Sequence, residues 1–453
     1  MGFRTQGRST ETMIMEDAYH IIGGTPLKGV VKLSGAKNIA LKVLIAGLLF
    51  ETPVVLHNIP RIADIHELIH LLTLLGAKVD FEGNTVTIDP RGVHVNKVDL
   101  LHASKIRTSF LLFAPLLSRF GECYIPNPGG CRLGARSIDR IVEGLIALGI
   151  EVSYDSETGY YHAIMKNKPH GTYAFPKPSH TGTELMILMS VFGEGDIWIK
   201  NAALEPEIDD LINLLNEGGA KIVRIGADIK ITGVEKLIQE KPFTISSDRV
   251  EAITYAIAGI ATQGDVTISS IADHYIESFV GLMRNAGVGV ERKSEGVWRF
   301  YYQPFSDMSV ETAPYPGFLT DWQPLMAVLM TQGKGDSVIH ERIFENRFSY
   351  VEELRKLGAV IEYIEKDIPN PAEHYQFNYD PEKEYQQTIQ VTGPQVLHGG
   401  VMTVADLRAG ATLAIAALIG EGESYVKGIS HLERGYEDFV GKITKLGGNV
   451  RKV

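Results

Sequence analysis

At 453 residues the chain is too long for one compact core, so roughly two to three domains are expected. Hydrophobic residues make up 44% and charged residues 22%, an ordinary globular composition, and the net charge of −11 argues against nucleic acid as a partner. Cys123 and Cys131 are too few for a disulfide framework and suit a reducing, cytoplasmic compartment, and no Cys/His spacing suggests a metal.

In chain order, residues 1–20 are polar, lack the apolar core of a secretory signal and read as a disordered extension. Beyond them the chain repeats itself. A segment that would end an amphipathic helix, followed by a short apolar strand, recurs six times, with its glycine at Gly76, Gly149, Gly219, Gly287, Gly358 and Gly447. The intervals are 73, 70, 68, 71 and 89 residues. Each glycine falls just past a helix end, where the left-handed conformation is cheap only for glycine. In step with these marks, six stretches (39–50, 109–117, 185–192, 252–261, 325–330 and 412–419) are apolar on nearly every face. Such helices must be buried all round. The long fifth interval contains the polar stretch 365–387, expected to be a surface insertion. The longest apolar run, 411–419, is about half of what a membrane span needs, so no membrane is expected. Six α/β units of about 70 residues most simply form two three-unit domains, with sheets outside and helices inside.

The candidate chemistry is cationic. SGAKN at 34–38 puts Lys37 and Asn38 at the start of a buried helix, where orphan N–H groups already favour anions. GGCRLGAR at 129–136 sets Cys131 in a glycine-rich loop beside Arg132 and Arg136, where positive charge favours a reactive thiol; Cys123 alternates with apolar residues and reads as inert packing. SHTGTE at 179–184, led by Ser179, is a helix-entry loop able to cradle phosphate. In FLTDWQ at 318–323, Thr320 and Gln323 have capping-box spacing, and Asp321 suits a helix dipole as well as a catalytic base. Arg107, Arg347, Arg408 and Arg434 lie near helix starts and turns, where guanidinium forks recognise carboxylates and phosphates. Each of these alone is as readily a cap, a salt bridge or a solvated charge.

Together the motifs resemble the enolpyruvyl transferase family over nearly the whole chain after Ile21. They run from SGAKN and GGCRLGAR through NAALEPEI at 201–208, SDRVE at 247–251 and the Thr320–Asp321 pair to FENRF at 344–348, ADLRAG at 405–410 and ERGYE at 433–437. The resemblance implies an inside-out α/β barrel of two domains. The first spans 36–246 and carries the Cys131 loop; the second combines 21–35 with 247–453, the chain crossing near 34–37 and 245–248. It further implies transfer of the enolpyruvyl group of phosphoenolpyruvate to a hydroxyl of UDP-N-acetylglucosamine, with neither metal nor organic cofactor. Lys37, Arg136 and Arg434 would grip phosphoenolpyruvate. Cys131 would be the acid and a target for the epoxide fosfomycin, and Asp321 the base. Asn38, Arg107, Ser179, Asp321 and the backbone near Ile343 would hold the nucleotide sugar, with Arg347 and Arg408 in support. Ala63, Ser137, His180 and Leu204 depart from the family pattern, mostly on the nucleotide side. They leave open another nucleotide acceptor, or a non-catalytic binding relative.

Overall fold

The computed structural model describes residues 17–128 and 138–453. Most of the expected extension and the Cys131 loop lie outside the described residues. Order begins earlier than 21, however. Strand Ala18–Ile22 pairs antiparallel with both Glu423–Lys427 and Asn449–Lys452, burying Ala18, Tyr19 and Ile21.

Among the described residues there are six small sheets, and they repeat one pattern. In the first unit the buried helix Lys37–Ala46 leads to strand Val54–His57, the amphipathic helix Ala63–Leu74, and a hairpin of Lys78–Glu82 and Thr85–Asp89. Val54–His57 pairs antiparallel with the second hairpin strand and parallel with Phe243–Thr244. The sixth unit reaches the same topology only by borrowing Ala18–Ile22 as its last strand, which ties the two ends of the chain together.

The glycine periodicity has a direct structural cause. Gly76, Gly149, Gly219, Gly287, Gly358 and Gly447 have φ of 103°, 89°, 103°, 90°, 98° and 92°, so each reverses the chain between helix and hairpin in a conformation other residues resist. The apolar helices are buried on all faces. Lys37–Ala46, His180–Ser190 and Phe113–Phe120 lie in one core, drawn from Ala36 to Ile245. Arg249–Ala261, Gln323–Met330 and Leu407–Ile419 lie in the other, drawn from Tyr19 to Leu33 and from Val250 to Val450. The expected helix at 109–117 begins as a 3-10 turn, Arg107–Leu112, and becomes α-helical only at Phe113. Burial penalises an unpartnered polar side chain in these helices, and some of them pair. Lys42 has its ammonium 3.0 Å from Glu184, which also lies 3.1 Å from His180. No helix among the described residues is long and apolar enough to cross a membrane.

Candidate active site

The site begins where two strands of chain lie side by side between the cores. Ala36 N–H donates to the Ser246 carbonyl at 2.8 Å, and Asp248 N–H donates to the Ser34 carbonyl at 2.9 Å. Gly35 is required here because a Cβ would sit 1.7 Å from the Asn58 carbonyl oxygen. Asp248 caps helix Arg249–Ala261 with one carboxylate oxygen and accepts from Lys37 N–H at 3.2 Å with the other. Lys37 and Asn38 thereby open helix Lys37–Ala46 at the seam between the cores.

Within its own half Lys37 meets a carboxylate that also draws a cation from the other half. Its ammonium lies 2.8 Å from Asp64, and Arg434 donates to the same carboxylate at 2.7 Å through Nε and to the Lys105 carbonyl at 2.9 Å. Asp64 stands in the first turn of helix Ala63–Leu74 and is 6% exposed. Burial would raise its carboxyl, but Lys37 and then Arg434 outweigh it and hold the group below its ordinary value. Lys37 moves down as well, because burial outweighs its half-share of Asp64, and Arg408 and Arg434 add repulsion. Two cations on one carboxylate leave a surplus positive charge.

A second carboxylate lies within the second core. Asp321 accepts from Arg347 Nη2 at 2.8 Å and from Arg408 Nε at 3.2 Å, and both arginines are buried. Arg347 also donates to Thr320 Oγ1 at 2.6 Å, and Thr320 donates to the buried Glu341 at 2.8 Å. The capping-box expectation for Thr320 and Gln323 is therefore not met. Buried Glu341 needs donors, and it recruits Thr320, Thr312 and the amides of Ile343 and Phe344. Arg408 opens helix Leu407–Ile419 under the Asp406 cap, with its guanidinium over the Tyr436 ring. Asp64 and Asp321 thus offset part of the positive charge of Lys37, Arg434, Arg347 and Arg408.

Beside this centre a cavity of about 260 Å³ opens between the halves. Arg107, Ser179, His180 and Leu319 line it together with Ile343 and Gln376. Ser179 caps helix His180–Ser190, accepting from Gly182 N–H at 3.2 Å. The Ile343 amide is engaged, donating to Glu341 at 2.7 Å. Burial lowers the Arg107 guanidinium, and burial pushes the Cys123 thiol far up, as expected of an inert cysteine.

A family model described as EPSP synthase (3-phosphoshikimate 1-carboxyvinyltransferase) matches residues 21–443. The chain belongs to that enolpyruvyl transferase family. It is similar to the UDP-N-acetylglucosamine 1-carboxyvinyltransferase of Halothermothrix orenii, 38% identical over 96% of this chain and 99% of that one. The enzyme of the same name from Bartonella henselae is 37% identical, with the same coverage of both chains. The crystal structure of the enolpyruvyl transferase NikO from Streptomyces tendae shares the fold at TM-score 0.83 and 23% identity, covering 96% of this chain and 99% of that chain. EPSP synthase from Acinetobacter baumannii shares it at TM-score 0.67 and 15% identity, over 96% and 99%.

In this transferase the expected residues within the described range fall into two ion-pair clusters and a cavity wall around the seam. Lys37 and Arg434 share Asp64, Arg347 and Arg408 share Asp321, and Arg107, Ser179 and Ile343 line the adjoining cavity. Asn38 stands in the first helical turn beside Lys37. Cys131 and Arg136 lie outside the described residues. The sequence reading missed Asp64, Glu341, Arg140 and Lys177. Asp64 carried one faint signal, an acidic residue in a helix first turn, which a helix dipole explains equally well.

The stretch 365–387 is largely exposed, as its composition led us to expect, but part of it packs against the cavity. Tyr375 and Phe377 are buried, and Gln376, Phe377 and Asn378 form part of the cavity wall. Among the described residues its His374 completes the one cluster of metal-ligating types, with Glu311 and His340. Glu311, however, already pairs with Arg342 at 2.8 Å and Lys366 at 2.9 Å, so the cluster reads as an ion-pair anchor.

Proposed function

We propose that this enzyme transfers the enolpyruvyl group of phosphoenolpyruvate to the 3-hydroxyl of UDP-N-acetylglucosamine, a step that commits the sugar to peptidoglycan synthesis in the cytoplasm. The observation that carries the reading is a pair of carboxylate-centred cation clusters beside a cavity, in a chain 38% identical to a transferase of that name. Lys37 and Arg434, with Arg136 from the loop, have the surplus charge to take up phosphoenolpyruvate. The cavity, about 260 Å³ with mixed polar and apolar walls, suits part of a nucleotide sugar.

The chemistry asks little more of the chain. Cys131 gives a proton to the methylene carbon of phosphoenolpyruvate, and the sugar oxygen bonds to the neighbouring carbon as Asp321 takes the hydroxyl proton. The methyl group of the tetrahedral adduct then returns a proton while the carbon–oxygen bond to phosphate breaks, leaving the carboxyvinyl ether and inorganic phosphate. Fixed guanidinium and ammonium groups stabilise the negative charge as it migrates to the leaving phosphate. Asn38, Arg107, Ser179 and the chain at Ile343 position the nucleotide sugar, and Arg347 and Arg408 orient Asp321. We infer a working division into 36–246 and 18–35 with 247–453, because the two hydrophobic cores draw their residues from those ranges.

Phosphate release with phosphoenolpyruvate and a panel of nucleotide sugars tests the reading. Release is expected with UDP-N-acetylglucosamine and not without an acceptor. Cys131→Ser should lose turnover, and Cys131→Asp should retain part of it, since a carboxyl can also deliver the proton. Full activity in Cys131→Ser, or release only with a different acceptor, contradicts it.

A further inference from the structure

The insertion is held from both sides of the cleft. On its own side, Arg342 donates to the His374 carbonyl at 3.0 Å, Gln376 N–H donates to the Arg342 carbonyl at 2.8 Å, and Lys366 pairs with Glu311. From the opposite side, Lys177 Nζ donates to the carbonyls of Ala372, Tyr375 and Phe377 at 2.7, 2.6 and 3.2 Å. Arg140 Nη2 donates to the Gln376 carbonyl at 3.1 Å and to Asn378 Oδ1 at 3.2 Å. Tyr375 stacks on both Phe377 and Tyr379, with centroids 4.9 and 5.8 Å apart, which stiffens the segment between these anchors. Lys177 lies two residues before Ser179, and Arg140 is in the first turn of helix Asp139–Ala147. The segment therefore closes one end of the cavity by gripping elements that line it.

Two acceptors among the lining residues are unspent, Gln376 Oε1 and Glu205 Oε2. Gln376 Oε1 is buried and has no hydrogen-bond partner among the described residues, while the side chain lines the cavity. A buried acceptor without a donor costs about 1–3 kcal/mol, so a donor from a ligand is the natural complement. Ile141, Pro178, Leu319, Phe344 and Phe377 add apolar surface to a lining that also holds Arg107, Ser179 and Glu205. Apolar surface beside the free Gln376 acceptor suits a flat ring carrying an N–H. We propose that residues 365–387 form a strap across the acceptor end of the cleft, and that Gln376 reads the nucleobase of the acceptor by accepting from its ring N–H. The inference rests on the acceptor being a uridine nucleotide sugar.

The test compares UDP-N-acetylglucosamine with its N3-methyluridine analogue in the phosphate-release assay, for the parent enzyme and Gln376→Ala. The parent should favour the unmethylated sugar by about tenfold in kcat/KM, the effect of roughly one hydrogen bond. Gln376→Ala should raise KM for the nucleotide sugar about tenfold, leave KM for phosphoenolpyruvate unchanged and lose the discrimination. A purely structural role would not move discrimination. Equal use of both sugars by the parent, or discrimination kept in Gln376→Ala, overturns the strap's role and leaves the transferase reading intact. No turnover by the parent with any uridine sugar overturns both.

Discussion

The Asp64 and Asp321 clusters are built alike and placed differently. Each puts two cations on one carboxylate. At Asp64 the partners come from both cores: Lys37 from helix Lys37–Ala46, and Arg434 from beyond Leu407–Ile419. At Asp321 all three groups belong to the second core, backed by Thr320 and the buried Glu341. A carboxylate that joins two bodies works as a latch, lost when they separate and replaceable by an anionic ligand. One enclosed within a single body works as a fixture whose geometry is set on folding. The cleft thus pairs an adjustable grip with a rigid base.

The largest effect is expected from damage to the fixture. Arg347→Ala would leave Asp321 with one guanidinium and Glu341 with a weakened hydrogen-bond chain, costing about 3–5 kcal/mol in chemical denaturation and eliminating turnover. Parent-like stability would show that the Asp321 cluster is not built into the fold.

A smaller effect, of a different kind, is expected from the latch. Asp64→Asn should remove the charge that Lys37 and Arg434 share and let the halves part. Small-angle scattering should report a larger radius of gyration without ligand and recovery with both substrates. The kcat/KM for phosphoenolpyruvate should fall about 10- to 100-fold, with less loss of stability than in Arg347→Ala. An unchanged radius would place the latch inside one rigid body after all.

The smallest effect concerns His180 in the cavity wall. Burial would lower its imidazole, but Glu184 outweighs burial, so the group stays protonated to higher pH than an ordinary histidine. A raised histidine stabilises the fold fully below about 6.5, and that contribution is lost as pH rises through the raised value. The same proton adds positive charge near the site of an anionic substrate. KM for the nucleotide sugar should therefore climb several-fold as pH rises through the raised value, and His180→Asn should flatten the profile. An identical profile in that variant would remove His180 from the site.

The frame of the molecule was legible because its signals are local. A glycine at a helix end and an apolar helix face are set by neighbours in sequence, and both recur six times. The cationic half of the site was legible for the same reason, since Lys37, Arg347, Arg408 and Arg434 sit in recognisable motifs. Their counter-ions were not. Asp64 meets Arg434 across 370 positions of chain, and nothing near Asp64 announces that meeting. The surface position of the insertion was legible in its polar composition, but its contacts were not. Its aromatic residues Tyr375, Phe377 and Tyr379 pack on one another, and its backbone carbonyls satisfy Lys177 from the far side. Lys177 carried no signal at all, because its partners are main-chain atoms that any sequence would supply.

The central claim is that the two clusters serve one transfer from phosphoenolpyruvate to UDP-N-acetylglucosamine. Mass spectrometry and phosphorus NMR on the full chain with both substrates test it most directly. One inorganic phosphate and one nucleotide sugar bearing a carboxyvinyl ether on its 3-hydroxyl should appear together, in equal amounts. Phosphate without the heavier sugar, or a carboxyvinyl group on any other oxygen, would contradict the account.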